Sequence, residues 1–224
     1  MMDPKIQLAI QNAIELFAES KSLNAKAIND ELVKVFSADD DFLSKVDLLD
    51  ETFDQYPQLE ELREVFFDLL LMNFFSSDVK KLEEDYLDSP EWEQIEEDTL
   101  DRGTELLNVL LYLNECEDEG IKPELEDFLK EFLLVEEDEF QDEHRIYEDM
   151  IANQILMESD VAEIAKVAKS VDEESELKEL FYPIMCFFYE PDPSESAKKE
   201  IAQNALNKDF DMAIFSILET FNHA

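Results

Sequence analysis

The stretch QLEELREVFFDLLLMNFF, residues 58–75, decides the fold. Phe66, Phe67, Leu69, Leu70, Leu71, Met72, Phe74 and Phe75 fall on every side of a helix wound at 3.6 residues per turn. A helix that is apolar all round must be surrounded by other helices. Pro57 sits at its start, where a missing N–H is no loss. The stretch therefore predicts a central helix, and the remaining sequence should supply its neighbours.

Those neighbours can be read on both sides. Asp3-Pro4 places a capping side chain before proline at the first helical position, and Ile6, Ile10, Ala13 and Phe17 then line one face. A second helix starts at Asn24 with Ile28, Leu32 and Val35. A third presents Phe42, Val46, Leu49 and Phe53. After the central helix come a short acidic helix near residues 79–87 and a long one capped by Ser89-Pro90, expected to run to Glu117. Gly120 and Pro123 punctuate the next break, and Leu125, Phe128, Leu129 and Phe132 mark the helix that follows. Further helices are expected over 140–157, 161–170 and 176–189, with Pro183 kinking the last or delaying its start. Asp192-Pro193 with Glu195 reads as another capped start. The C-terminal helix carries a stripe of Phe210, Ala213, Ile214, Ile217, Leu218 and Phe221. No segment alternates as a strand would, and two glycines leave little room for recurrent tight turns.

The expectation is an all-α protein of about twelve helices, either an irregular multi-helical bundle or stacked helical hairpins resembling an α-solenoid. Helix pairs break near residues 38, 77, 120, 158 and 191, spacings in the range of hairpin repeats, but no repeat consensus recurs. The length suits one all-α domain over residues 1–224, with a subdivision near residue 120 into 1–119 and 120–224.

Charge is the second strong signal. Fifty-nine acidic against eighteen basic residues give a formal net charge of −41, where a small soluble domain carries roughly 2–8. Residues 60–149 hold 32 acidic and 7 basic residues. Disorder is disfavoured because 45% of the chain is hydrophobic, including seventeen Phe, and disordered acidic chains lack that apolar content. Salt adaptation is disfavoured by the same abundance of Phe and Leu. Three arginines, Arg63, Arg102 and Arg145, do not cluster, which argues against direct nucleic-acid binding. The longest apolar stretch, residues 180–189, is half of what crosses a bilayer, and anionic lipid would repel this surface. No basic-then-apolar leader opens the sequence, and two isolated cysteines, Cys116 and Cys186, make no disulfide framework. A soluble cytoplasmic protein without membrane association is the reading.

Residues 115–126 copy the acidic spacing of a calcium loop, with Gly120 sixth and Glu126 twelfth, but Glu fills the early positions and Pro123 interrupts the loop. A helix end capped by Gly120 accounts for the same residues. His144 with Glu148 and Glu219 with His223 stand four apart, and neither histidine has Glu three residues before it, as di-iron bundles require. Exposed ion pairs explain them. No nucleophile motif or phosphate-cradling loop occurs. No catalytic residue, cofactor or specific metal site is assigned; only non-specific cations are expected on the acidic face.

That face supplies the functional expectation. Like charges three or four apart on a helix destabilise it by roughly 0.2–0.5 kcal/mol each, a cost that interleaved lysines would avoid. The candidate partner-binding residues are Glu83, Glu84, Asp85, Glu96, Glu97, Asp98, Asp101, Glu117, Asp118, Glu119, Glu136, Glu137, Asp138 and Glu139. They suit a non-enzymatic interaction module for a basic protein partner, one that itself binds nucleic acid being an example. Such a module would work as a nucleic-acid mimic or as an acidic chaperone. DNA carries one charge per ~1.7 Å of axis, and one helix from Pro90 to Glu117 would span on the order of 40 Å. The alternative is a helical-repeat scaffold that grips a partner segment in an apolar groove, lined by Phe181–Tyr189 or by Phe74 and Phe75, with charge serving solubility. A third reading is a carboxylate-rich metal-dependent enzyme.

Overall fold

The computed structural model describes residues 2–77, 79–100, 102–133 and 146–223. Among them are thirteen α-helices and three 3-10 segments, with no strand. The chain divides into two compact units, residues 1–107 and 108–224.

In the first unit, α1 (Pro4–Lys21), α2 (Ala25–Phe36), α3 (Phe42–Gln55) and α4 (Arg63–Ser76) follow one another, and each packs on the next. α1 also packs on α4, which closes the set into a bundle instead of an open stack. Asn73 of α4 reinforces the closure: its Oδ1 accepts the Asp3 amide at 2.9 Å. Asp3 in turn accepts the Lys5 amide at 2.7 Å and starts α1 beside Pro4. A 3-10 turn, Pro57–Leu62, leads into α4. The helix itself therefore begins at Arg63, later than the apolar run alone indicates.

From Val65 to Phe75, every α4 residue except Phe74 is buried, including the polar Asp68 and Asn73. That is the burial expected of a helix apolar all round. Phe53 and Phe66 meet edge to face at 5.6 Å between ring centroids, a favoured aromatic geometry. The unit continues through a 3-10 turn at Val79–Leu82, α5 (Glu84–Leu87) and α6 (Pro90–Asp98). Ser89 caps α6 through the Trp92 amide at 3.2 Å.

The long helix expected from Pro90 to Glu117 is instead two. α6 ends at Asp98, and α7 (Glu105–Glu119) begins after a break containing Arg102 and Gly103. α7 gains its start from a distant side chain, since Asp68 Oδ2 accepts the Leu106 amide at 3.1 Å. A carboxylate 38 residues away is not a signal that a local pattern reveals.

In the second unit the centre is Phe181–Tyr189, all buried up to Phe188. With α8 (Leu125–Leu133), α9 (Glu148–Ala152) and α10 (Val161–Ala168) counted first, this is α11, followed by α12 (Glu195–Asn204) and α13 (Lys208–His223). α9, α10, α13 and a 3-10 turn at Gln154–Glu158 all pack on α11. Pro183 lies in its first turn, so the helix starts at Phe181 and not at 176; Pro tolerates only such early positions. Ser194, not Asp192, caps α12, accepting the Ala197 amide at 3.3 Å. Asp160 caps α10 through the Glu163 amide at 2.9 Å. A helix expected over 140–157 lies partly outside the described residues; within them only α9 and the following 3-10 turn form.

Candidate interaction surface

Of the acidic residues singled out above, the described ones fall at or beside helix ends. Glu83 precedes α5, and Glu84 and Asp85 open it. Glu96, Glu97 and Asp98 form the last turn of α6, and Glu117, Asp118 and Glu119 the last turn of α7. Glu83, Asp85 and both C-terminal triplets are exposed. Asp101 and Glu136, Glu137, Asp138 and Glu139 lie outside the described residues. The first triplet belongs to one unit and the second to the other, so the charge is a feature of both.

Their placement carries physical weight. A helix C-terminus bears a partial negative charge, and carboxylates there oppose it by about 0.3–1 kcal/mol each at low ionic strength. Neither α6 nor α7 has a basic residue in its last turn. Between Leu82 and Leu100 the sequence has nine acidic residues and no Lys or Arg. Glu91 and Glu93 in the first turn of α6 favour that helix, while the triplets in the last turns of α6 and α7 oppose theirs.

Two arginines of the first unit pair with other carboxylates. Arg63 reaches Glu60 and Asp54 at 2.8 Å each and Asp50 at 2.9 Å. Its hydrogen bonds to Glu60, followed by those to Asp54 and Asp50, hold the guanidinium further above its ordinary range against the effect of burial. Arg102 meets Asp50 and Glu64 at 3.2 Å each. The two guanidiniums also lie over the Phe53 and Phe67 rings, at 5.5 and 4.8 Å. Both arginines are mostly buried, so neither offers a phosphate-binding patch. Burial pushes the Glu64 carboxyl up, and Arg102 beside it pulls the other way.

Two of the described aspartates, Asp68 and Asp211, are buried outright. Burial holds the Asp68 carboxyl well above the usual range; the Glu105 charge adds to this, and the Leu106 amide opposes it. Among the described residues its Oδ1 has no hydrogen-bond partner. Asp211 of α13 turns back on the loop before its own helix and accepts the Leu206 and Asn207 amides at 2.7 and 3.0 Å. Burial still raises it to about 6.

Other candidate chemistry resolves into structure. α7 runs helically through Glu119, and Gly120 ends it at φ 66° with the Ile121 amide on the Cys116 carbonyl at 2.9 Å. This left-handed helix end accounts for the calcium-like spacing. Among the described residues no three His, Cys, Asp or Glu side chains are grouped to hold a metal. Glu219 pairs with Lys198 at 2.6 Å and His223 with Asp192 at 3.2 Å, which corrects the expected Glu219–His223 pair; His144 lies outside the described residues. Cys116 and Cys186 are buried thiols, and burial pushes Cys186 up to about 12. An open acidic cavity of about 510 Å³ is bordered by Asp149, Asp172, Glu174 and Glu176. Ser175 Oγ donates to Asp149 there at 2.7 Å.

The expected apolar groove at residues 181–189 does not form, because Phe181 through Phe188 are core of the second unit. In the first unit Phe75 is buried and Phe74 half-buried. No helix among the described residues is long and apolar enough to cross a membrane.

No family model, curated protein or solved structure matches the chain. What the fold and the surface define is a class: an all-α protein of two compact units, with carboxylate-rich helix ends and its described arginines turned inward.

Proposed function

We propose that this protein is a non-enzymatic interaction module that binds a basic protein partner through its exposed carboxylates. The observation that carries the reading is the placement of Glu96, Glu97 and Asp98, and of Glu117, Asp118 and Glu119. They stand in the last turns of α6 and α7, where negative charge is unfavourable and no Lys or Arg shares the turn. A surface serving only solubility has no need of that cost. Such a surface steers a cationic partner electrostatically, with association fast at low salt and slowed as ions screen it over a Debye length of ~8–10 Å.

Of the two versions, the acidic chaperone is favoured over the nucleic-acid mimic. The mimic drew on one uninterrupted rod from Pro90 to Glu117, and the break between α6 and α7 removes that rod. The test is capture of DNA- and RNA-binding proteins from a lysate at low and high salt, with the Glu96→Gln, Glu97→Gln, Asp98→Asn triple variant alongside. The reading expects salt-sensitive recovery that falls in the variant. Recovery of the same proteins at both salts, indifferent to the variant, overturns it.

A further inference from the structure

At the junction of α3 and α4 the first unit has a cavity of about 240 Å³. Its apolar wall is the Phe42–Phe74 pair, whose ring centroids are 4.9 Å apart. Three carboxylates, Asp40, Asp41 and Glu91, stand around it. Asp40, Asp41 and Glu91 are exposed, Phe42 is buried and Phe74 is half-buried, so the cavity grades from an aromatic wall to an acidic rim. Asp41 is fixed there by capping α3, accepting the Ser44 amide at 2.9 Å.

The cavity shows what it takes. Lys81 Nζ lies 3.4 Å from the centre of the Phe74 ring, and Lys45 also lines the space. An aromatic face attracts a cation through its negative quadrupole, and more strongly where water is partly excluded. Anionic rim groups add to that attraction. A site built from these parts selects a cationic side chain, and a planar guanidinium covers a ring face better than an ammonium does.

We propose that this cavity is the receptor for a single arginine side chain of the basic partner, and that Lys81 is an internal occupant which the partner displaces from Phe74. This rests on the basic-partner reading and names where and how it is anchored. The surrounding carboxylates bring the partner in; Phe74 holds one residue of it.

The probe is a hexa-arginine peptide with blocked ends, titrated calorimetrically at about 0.05 and 0.5 M salt, either side of the ionic strength where surface charges are well screened. Lys81→Gln frees the ring; Lys80→Gln removes the same charge next to it on an exposed residue that does not line the cavity. Lys81→Gln is expected to bind about threefold more tightly than Lys80→Gln at both salts, and Phe74→Leu about threefold more weakly than the native protein, as for one cation–π contact. Equal affinities for the two lysine variants, or an unchanged Phe74→Leu, overturn the arginine site while peptide binding itself still supports the basic-partner reading. Absence of peptide binding by the native protein at low salt overturns both. If Phe74→Leu fails to fold, the comparison of the two lysine variants decides.

Discussion

The two units are nearly matched in charge, with 28 acidic and 9 basic residues in the first and 31 and 9 in the second. They are wired differently. The first draws two arginines into its interior around Asp50 and starts α7 with Asp68, a carboxylate borrowed from another helix. The second combines local pairs such as Lys166–Glu163 with Lys198–Glu219 between α12 and α13, and its buried Asp211 serves the start of its own helix. Equal composition therefore conceals unequal long-range organisation. The reach differs: in the first unit Asp3 meets Asn73 across 70 positions and Arg102 meets Asp50 across 52. In the second, Asn222 meets Pro191 across 31 and Ser175 meets Asp149 across 26, beside the packing around α11.

The largest test is of the two centres. Phe66→Ala in α4 and Phe187→Ala in α11 each remove a fully buried ring and should cost about 3–5 kcal/mol. Hydrogen exchange should show lost protection in the helices of the altered unit alone. Uniform loss across both units in either variant would mean that they unfold as one.

Next is the response to pH. Asp211 is held at about 6 in the fold against about 3.9 in an unfolded chain. In that window the folded state binds more protons, so this stability is fully present below the unfolded value and is lost as pH rises through about 6. Between pH 4 and 7 the difference is on the order of 2–3 kcal/mol. Asp68 and Glu64, also raised by burial, act in the same direction. Urea midpoints should increase on mild acidification, and Asp211→Asn should flatten that slope. A midpoint that falls steadily below pH 7 would contradict the burial of these carboxyls.

Asp68 then separates a borrowed cap from a local one. Asp68→Ala leaves the Leu106 amide without its acceptor and should cost about 1–3 kcal/mol, whereas Asp68→Asn keeps an acceptor and should cost less. Exchange of the first α7 amides reads the difference. The smallest effect is expected at the periphery of the second unit: Lys198→Ala breaks a partly exposed pair and should cost less than about 1 kcal/mol. Arg102→Ala, which strips Asp50 and Glu64 of a half-buried shared partner, should exceed it in the same denaturation assay.

Much of the secondary structure was legible because it is local. Caps such as Asp3, Asn24 and Ser89 act within three residues, and apolar stripes such as Phe210 to Phe221 declare a buried face by spacing alone. The exposed carboxylates could also be read, since each lies off an apolar stripe. The α6–α7 break was missed although Gly103 was in view, because the residue that organises the new start is Asp68, on another helix. Phe74 was legible as a groove residue, but the carboxylates that rim its cavity and the inward turn of Arg63 and Arg102 left no local trace.

The sequence by itself therefore determined an all-α chain, its apolar faces and its excess of negative charge. Which carboxyls lose their water, which arginines are used internally and which ring a lysine covers were decided only by tertiary structure. Asp68 meets Leu106 across 38 positions and Arg102 meets Asp50 across 52. Helical period and capping act over a few residues, while desolvation and ion pairing depend on whatever packing brings alongside.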